Sequence, residues 1–216
     1  MGRDLLSRII YGSRISLIVA TTALLAGGIV GISVGLVSGF AGGQTDEILM
    51  RIVDISRAIP YILIALVIVI ALGQGLGVMV AIVAWTTWGT FARQVRAEAL
   101  QLKMMDYIAL ARVSGASPIR VMIRHILPGL TNTIMVLSTL QVGSLILFEA
   151  ILSFLGAGIP PPTPAWGAMI ADGRDYLGSA WWIAFFPGMA IFLTVLALNF
   201  LGDWLRDRFD PRLRQL

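Results

Sequence analysis

The sequence predicts an all-α fold: a polytopic membrane helical bundle with five transmembrane helices and a cytoplasmic helix-turn-helix loop. Three observations predict it. Hydrophobic residues make up 57% of the 216 and charged residues only 13%; the mean hydropathy is +0.87; and the apolar residues are gathered into long segments. Soluble domains carry roughly 45–50% apolar and about 25% charged residues. The excess apolar surface therefore requires lipid as its solvent, and a soluble enzyme or a disordered tail fits poorly.

The residues that most enzymes and cofactor sites need are scarce. The chain has no cysteine and one histidine, His125, which excludes disulfides, thiolate nucleophiles, histidine triads and most metal sites. The only lysine, Lys103, follows Leu102, so no G-x-x-x-x-G-K-[ST] phosphate loop exists. We predict no catalytic, cofactor-binding or metal-binding residue here; if ATP powers the protein, another subunit binds it.

The apolar segments give the predicted spans. A bilayer-spanning helix needs about 20 mostly apolar residues. The segments lie at residues 15–40, 60–72, 77–92, 129–155 and 182–201. The second and third are short and are expected to form a hairpin with a tight turn, and Pro187 interrupts the last. A loop at residues 93–128 and another at 156–181 join the later spans.

The placement of basic residues predicts the orientation. Loops 41–59 and 93–128 and the tail after residue 201 together hold twelve Arg and Lys residues, against four on the other side. Basic residues mark cytoplasmic loops, so the C-terminus is expected inside and the N-terminus outside. An exported N-terminus with three arginines is unusual, and we expect that an upstream, outward-leading helix is missing from this chain. The positive charge therefore indicates a membrane topology rather than nucleic-acid binding.

The first span carries small residues at every fourth position, where they form one stripe on a helix: Ala23, Gly27, Gly31, Gly35 and Gly39. Such a stripe allows a second helix backbone to approach closely. Helix packing is favoured over a ligand site, and Gly27→Leu is expected to separate the helix pair.

The fourth span contains polar side chains at membrane depth. Ser138, Gln141 and Ser144 lie on neighbouring faces near its middle, where they either hydrogen-bond to another helix or line a translocation pathway. Glu149 lies two turns further out, closer to the outer interface, and is expected to have a partner or water. A structural ion pair and an acid at the mouth of a pore are equally compatible with it.

The loop at residues 93–128 carries ordered signals. Asp106–Ser114 predicts a short helix with Tyr107, Leu110, Ala111 and Ser114 on one face. Gly115 suits a C-terminal cap with positive φ, and Ser117 with Pro118 suits the start of a second helix that stops at Pro128. This projection is a lid, a connector or a docking surface, and the pattern modestly favours docking.

The stretch ALARVSGASPIRVMIRHILP, residues 109–128, resembles a family: the inner-membrane permease subunits of binding-protein-dependent ABC importers. Their cytoplasmic loop has the pattern E-A-A-x3-G-x9-I-x-L-P and docks on the ATPase subunit. Gly115, Leu127 and Pro128 take the matching positions, and Ala111 takes that of the last alanine. Ala109 replaces the glutamate, Leu110 the middle alanine, and His125-Ile126 the I-x pair. The resemblance implies an ATPase-docking loop whose residues are Asp106, Tyr107, Leu110, Ala111, Arg112, Ser114, Gly115, Ala116, Ser117 and Pro128.

Four blocks in order narrow the resemblance to the second permease of the dipeptide/oligopeptide/nickel importers. They are GRDLLSRIIYGSRISL, DYIALARVSGAS, FLGAGIPPPTPAWGAMIADGRDYL and FLGDWLRDRFDPRLR, and they are spaced along nearly the whole chain. The resemblance implies six spans, and we expect that the first of them is missing from this chain. The resemblance implies a type I importer fold in the bacterial or archaeal inner membrane.

The implied assembly contains a second homologous permease, two ATPase subunits that bind ATP and Mg, and an external solute-binding protein. The solute is a peptide or a related small molecule, such as a nickel chelate, a glutathione-like or an opine-like solute. The outer loop is expected to form a rigid rim against the binding protein, or else an inert connector; its rim residues are Pro160, Pro161, Pro162, Pro164 and Trp166. An ion-coupled secondary transporter and a non-transporting membrane anchor remain the alternatives.

Overall fold

The computed structural model describes residues 4–209, and within that range the chain is helical with no strand. The order of the α-helices is α1 (Leu5–Ala41), α2 (Gly43–Ala58), α3 (Tyr61–Leu72), α4 (Leu76–Leu102), α5 (Asp106–Val113), α6 (Pro118–Val121), α7 (Leu127–Gly129), α8 (Thr131–Phe154), α9 (Trp166–Arg174) and α10 (Trp182–Phe209), with a π-helical segment at Met122–Ile126 between α6 and α7. The basic residues Arg3, Arg212 and Arg214, which were used to predict the orientation, lie outside the described range.

Four of the described helices are long and apolar enough to cross a membrane: α1, α4, α8 and α10. The fifth predicted span, at residues 60–72, corresponds to α3, which has only 12 residues. At 1.5 Å per residue it is about 18 Å long, short of the ~30 Å hydrocarbon core. Helices α2 and α3 meet at 78° across a short break, and they add a fifth span only if this bent pair counts as one.

Three helices extend beyond the predicted span boundaries. α1 begins at Leu5 rather than residue 15, because Asp4 caps it by accepting from the N–H groups of Leu6 and Ser7. α4 continues ten residues past residue 92, so the first part of the predicted loop at 93–128 is helix. α10 runs to Phe209 and contains Pro187 without a break. Hydropathy marks the apolar part of a helix, whereas caps and partners for charged residues decide where it ends.

The small-residue stripe of α1 packs against α4. A Cβ on Gly27 would lie 2.5 Å from the carbonyl oxygen of Ala84, and one on Gly35 would lie 2.5 Å from that of Ala92. A Cβ on Gly31 would collide with the backbone of Trp88, and one on Gly39 would lie 2.8 Å from the Ala99 Cβ. Ala23, the first member of the stripe, is completely buried. The backbones of α1 and α4 are therefore in contact along three turns of helix.

Polar pairs hold α2 against the end of α4. Arg96 Nη2 donates to Asp46 Oδ2 at 2.6 Å, and Arg93 Nη2 donates to Asp54 Oδ1 at 2.6 Å. Arg57 Nη1 donates to Thr90 Oγ1 at 3.1 Å. These pairs supply partners for the arginines of α4, which explains how the helix continues past the predicted end of its span. We call the end of the bundle where these residues of α2 and α4 meet the basic end.

The opposite end of the bundle is closed by α9, which lies inside the predicted outer loop 156–181. A Cβ on Gly167 would collide with the backbone of Ala150 on α8, and one on Gly173 would lie 2.7 Å from the Ala184 nitrogen of α10. The loop is therefore a short helix wedged between two long ones rather than an irregular connection.

Candidate docking and pathway sites

Helix α5 ends in a Schellman motif at Gly115. The Ala116 N–H donates to the Ala111 carbonyl at 3.1 Å, and the Gly115 N–H donates to the Arg112 carbonyl at 3.0 Å. Gly115 has φ of +82°, the left-handed region that glycine adopts without penalty. The structure thus places the predicted glycine turn one residue after Ser114, the cap of α5.

The second helix of the loop begins as predicted but does not stop at Pro128. Ser117 Oγ accepts from the Arg120 N–H, with Pro118 at the first helical position. The chain then passes through the π-helical segment and α7 into α8. Pro128 has no N–H to donate, and the Leu127 N–H donates five residues back to the Met122 carbonyl. The wider π turn accommodates the proline inside a nearly continuous helix, so the predicted stop was wrong.

We call residues 104–126 the knob; it is anchored to the basic end by a buried apolar cluster. The knob contributes Ile108, Val121 and Ile126, all completely buried. Their buried partners are Leu36 on α1, Val95 and Ala99 on α4, and Leu130 at the N-cap of α8. The Arg112 guanidinium also lies 5.0 Å from the centre of the Phe40 ring. A displacement of the knob must therefore move the ends of α1, α4 and α8.

The outward side of the knob is apolar and uncovered. Its exposed large apolar residues are Met104, Met105, Tyr107, Leu110, Val113, Ile119 and Ile123. Leu110 is 67% and Val113 87% exposed. The other predicted docking residues are also accessible: Asp106, Arg112, Ser114, Gly115, Ser117 and Pro128 are exposed, and Ala111 and Ala116 are half-buried. Contiguous exposed apolar surface rimmed by polar groups marks an interaction site.

The polar residues in the middle of α8 are only partly covered by the other described helices. Ser138 and Gln141 are half-buried and Ser144 is exposed. They point away from the positions where α8 packs closely on α10, at Gly143 and Thr139. Polar groups at membrane depth face a partner helix or a water-filled path.

Glu149 is completely buried between α8 and α1. Its Oε2 accepts from Ser16 Oγ of α1 at 2.7 Å, and its Oε1 accepts from Ser153 Oγ at 2.6 Å. Among residues 4–209 no basic side chain pairs with it, so the ion-pair alternative is wrong. A carboxyl at the mouth of a pore is not observed either, because no part of the residue is accessible. Glu149 instead links two spans through two serine hydroxyls.

This arrangement predicts a difference between two substitutions of Glu149. The oxygen of Gln accepts from one serine hydroxyl, and its N–H donates to the oxygen of the other, which can act as an acceptor. Glu149→Gln should therefore change the free energy of unfolding by less than about 1 kcal/mol. Glu149→Leu leaves both serine hydroxyls without the carboxyl, and a buried unsatisfied polar group costs roughly 1–3 kcal/mol. Equilibrium unfolding of the purified chain in mixed micelles measures both. Equal destabilisation by the two variants would show that the charge matters rather than the hydrogen bonds.

The predicted outer rim divides into two parts. Pro160, Pro161 and Pro162 are exposed and Pro164 is half-buried. Trp166 does not belong to an accessible rim, because it is only 3% exposed and its Nε1 donates to the Ile9 carbonyl at 2.9 Å. Its ring also lies beside Gly12, where a Cβ would come within 3.1 Å of Trp166 Cδ1. Trp166 therefore fastens the start of α9 to α1.

Trp166→Phe tests this fastening. Phe keeps most of the apolar contact but cannot donate to the Ile9 carbonyl, so we expect a loss of about 1 kcal/mol in the free energy of unfolding. Trp204→Phe is the matched control, since Trp204 is 60% exposed. A fall in the thermal midpoint of Trp166→Phe alone supports the fastening, and equal midpoints for the two variants would contradict it.

Sequence reasoning missed the polar pairs between α2 and α4. The arginines at 93 and 96 were counted only as markers of the cytoplasmic side, although Asp46 and Asp54 supply opposite charges in a segment of the same predicted side. Ser38 also donates to Asp46 and ties α1 into this network. Matching acids to bases between loops assigned to one side of the membrane was the available signal.

The fold is a bundle of helices long and apolar enough to cross a membrane, and its loop carries an exposed apolar surface. The sequence profile of the family described as "Binding-protein-dependent transport system inner membrane component" matches residues 31–215. The chain belongs to this family, which confirms the family prediction.

Two relatives and one solved structure show which members it is similar to. The glutathione transport system permease protein GsiD of Pectobacterium atrosepticum is 45% identical over 214 residues, covering 99% of this chain and 71% of the relative. The di/tripeptide transport system permease protein DppC of Pseudomonas aeruginosa is 42% identical over 214 residues, with the same coverage. A chain of the MetNI methionine ABC transporter in an inward-facing conformation superimposes with a TM-score of 0.81 at 19% identity, covering 96% of this chain and 99% of that chain. The predicted fold class is confirmed.

Proposed function

We propose that this permease forms one half of the pathway of an ATP-driven importer for peptides or related small solutes such as glutathione. It pairs with a second homologous permease, two ATPase subunits and an external solute-binding protein. The substrate class is supported by relatives at 42–45% identity that are named as glutathione and di/tripeptide permeases. The single observation that carries the mechanism is the knob, which is apolar and exposed outward but buried at its base.

The knob gives the ATPase a mechanical connection to the spans. ATP and Mg bind to the ATPase subunits, and this chain performs no bond chemistry. Closure of the ATPase pair displaces the knob, and the buried cluster at its base passes that displacement to α1, α4 and α8. Such coupling requires the docked element to favour one of two discrete states of the spans.

The remaining surfaces take roles in the same scheme. Ser138, Gln141 and Ser144 line the pathway with neutral polar groups, which suit a solute that carries amide and hydroxyl groups. The exposed prolines at 160–162 contact the binding protein on the outer side. The basic end lies in the cytoplasm with the C-terminus, and the N-terminus of this chain lies outside, in the orientation that the basic residues favour.

A pull-down of the tagged chain from its native membranes in mild detergent, with partners identified by mass spectrometry, tests the proposal. We expect a second permease and ATPase subunits to co-purify. Leu110→Glu places a charge on the apolar face of the knob and should release the ATPase subunits while the second permease stays bound. Leu177→Glu makes the same change at the opposite end, on a side chain that is 54% exposed, and should release neither.

Equal ATPase recovery with both variants would contradict docking at the knob. Recovery of the chain without any ATPase, together with uptake that survives ATP depletion, would indicate an ion-coupled secondary transporter. Recovery of a complex that moves no solute would indicate a membrane anchor.

A further inference from the structure

An isoleucine stripe runs along the side of α2 that no other described element covers. Ile48, Ile52 and Ile55 are 60%, 51% and 65% exposed, and Ile59, at the bend after α2, is 52% exposed. At 100° per residue the side chains of Ile48, Ile52 and Ile55 fall within an arc of about 60°, and Ile59 follows at the C-cap position. We call these four residues the isoleucine seam.

The seam lies on the opposite side of α2 from the residues that hold it to α4. Asp46, Val53 and Arg57, which face α4, fall roughly 130–170° around the helix from the centre of the seam. The exposure of the isoleucines is therefore not a gap in the packing of α2 on α4. It is a second apolar face on a helix that already has one partner.

The charges beside the seam disfavour contact between the seam and an anionic membrane surface. Amphipathic helices that lie on anionic lipid carry Lys and Arg on their polar face. α2 has three acids, Asp46, Glu47 and Asp54, against Arg51 and Arg57. The basic residue nearest the seam, Arg51, is paired with Glu47 at 3.1 Å. The helix thus carries one more acid than base, which is not the composition of a helix that lies on anionic lipid.

The spacing of the seam suits a second helix related by a two-fold axis. Successive isoleucines of the seam are four, three and four residues apart, and this order is the same in either direction along the chain. An equivalent helix lying antiparallel would place Ile52 opposite position 55 and Ile48 opposite position 59. β-branched side chains at alternating intervals of three and four are those that pack as knobs into the holes of a neighbouring helix.

We propose that the isoleucine seam packs against the equivalent helix of the second permease subunit, across the pseudo-two-fold axis that relates the two halves of the importer. This inference rests on the proposed function, since it takes the second permease from it. Four side chains cover only part of the ~800 Å² that each partner contributes to a stable interface. The seam is therefore one contact among several between the two permeases, placed at the basic end beside the pairs that tie α2 to α4.

Site-specific photo-crosslinking in the assembled complex tests the proposal. A photoreactive residue replaces Ile52 or Ile55 in the tagged chain, which is irradiated in native membranes and analysed by gel and mass spectrometry. We expect an adduct with the mass of the second permease at both positions, mapped to the helix equivalent to α2. Ile29 on α1, with 65% exposure, is the matched control and should give no adduct at that helix.

The other outcomes overturn the inference. An adduct to a second copy of this chain, an adduct to the ATPase, or lipid adducts alone would each assign the seam to a different occupant. The pull-down from the same membranes separates this failure from a failure of the proposed function. If the second permease and ATPase co-purify but the seam does not crosslink to the permease, only the seam assignment is wrong; if neither co-purifies, the importer itself is wrong.

Discussion

Gly31→Ala is expected to destabilise the protein, although the substitution adds one methyl group and improves the intrinsic helix propensity. A Cβ at position 31 would collide with the backbone of Trp88 and lie 2.6 Å from the Phe91 Cβ. Neither atom can yield by a side-chain rotation, so α1 and α4 must separate. Overpacking of a close contact costs typically 1–3 kcal/mol, and here it also weakens the neighbouring contacts of Gly27 and Gly35.

Gly28→Ala is the matched control on the same helix. Position 28 is buried, but its nearest neighbour would be Phe91 Cζ at 3.9 Å, an ordinary contact. Replacing a helical glycine with alanine gains up to about 1 kcal/mol, so Gly28→Ala should be neutral or stabilising. Unfolding free energies in mixed micelles measure both variants. A stabilised Gly31→Ala protein would show that the α1–α4 contact is looser than the structure describes.

The α1–α4 contact could be foreseen from sequence because its cause is local to one helix. Four-residue spacing puts small side chains in a line whatever the rest of the fold does, and the same holds for the glycine turn at 115. The sequence did not identify the partner helix. A stripe of small residues admits any helix backbone that approaches closely, so the stripe alone does not say which helix packs against it.

The features that sequence reasoning misplaced depend on contacts between distant segments. Trp166 was expected on the outer rim, yet it is buried and donates to the backbone of a helix more than 150 positions earlier in the chain. Glu149 was expected to find a basic partner or water, and two serines on α1 and α8 take that place. The π-helical segment escapes any periodicity rule, because it inserts one residue into a turn without changing which side chains are apolar.

Gly115→Val is expected to abolish solute uptake while the chain still inserts into the membrane. The φ of +82° at this position costs a non-glycine residue roughly 1–2 kcal/mol, and a β-branched residue more. The Schellman bonds from Gly115 and Ala116 would then be lost or strained. α5 would end in a different place, and Leu110 and Val113 would no longer face outward together. If docking weakens by more than about 1.4 kcal/mol, ATPase binding falls by more than tenfold.

Gly115→Asn separates the backbone effect from the loss of a small residue. No atom lies within 4 Å of a Cβ at position 115, so there is room for either side chain. Asn adopts the left-handed region several-fold more readily than most residues, and this variant should keep most of the uptake. Initial uptake rates, divided by the amount of chain in the membrane, measure both variants. If the Val and Asn variants lose uptake equally, the defect is due to the loss of a small residue at the docking surface. Normal uptake by Gly115→Val would show that the turn does not position the knob for coupling.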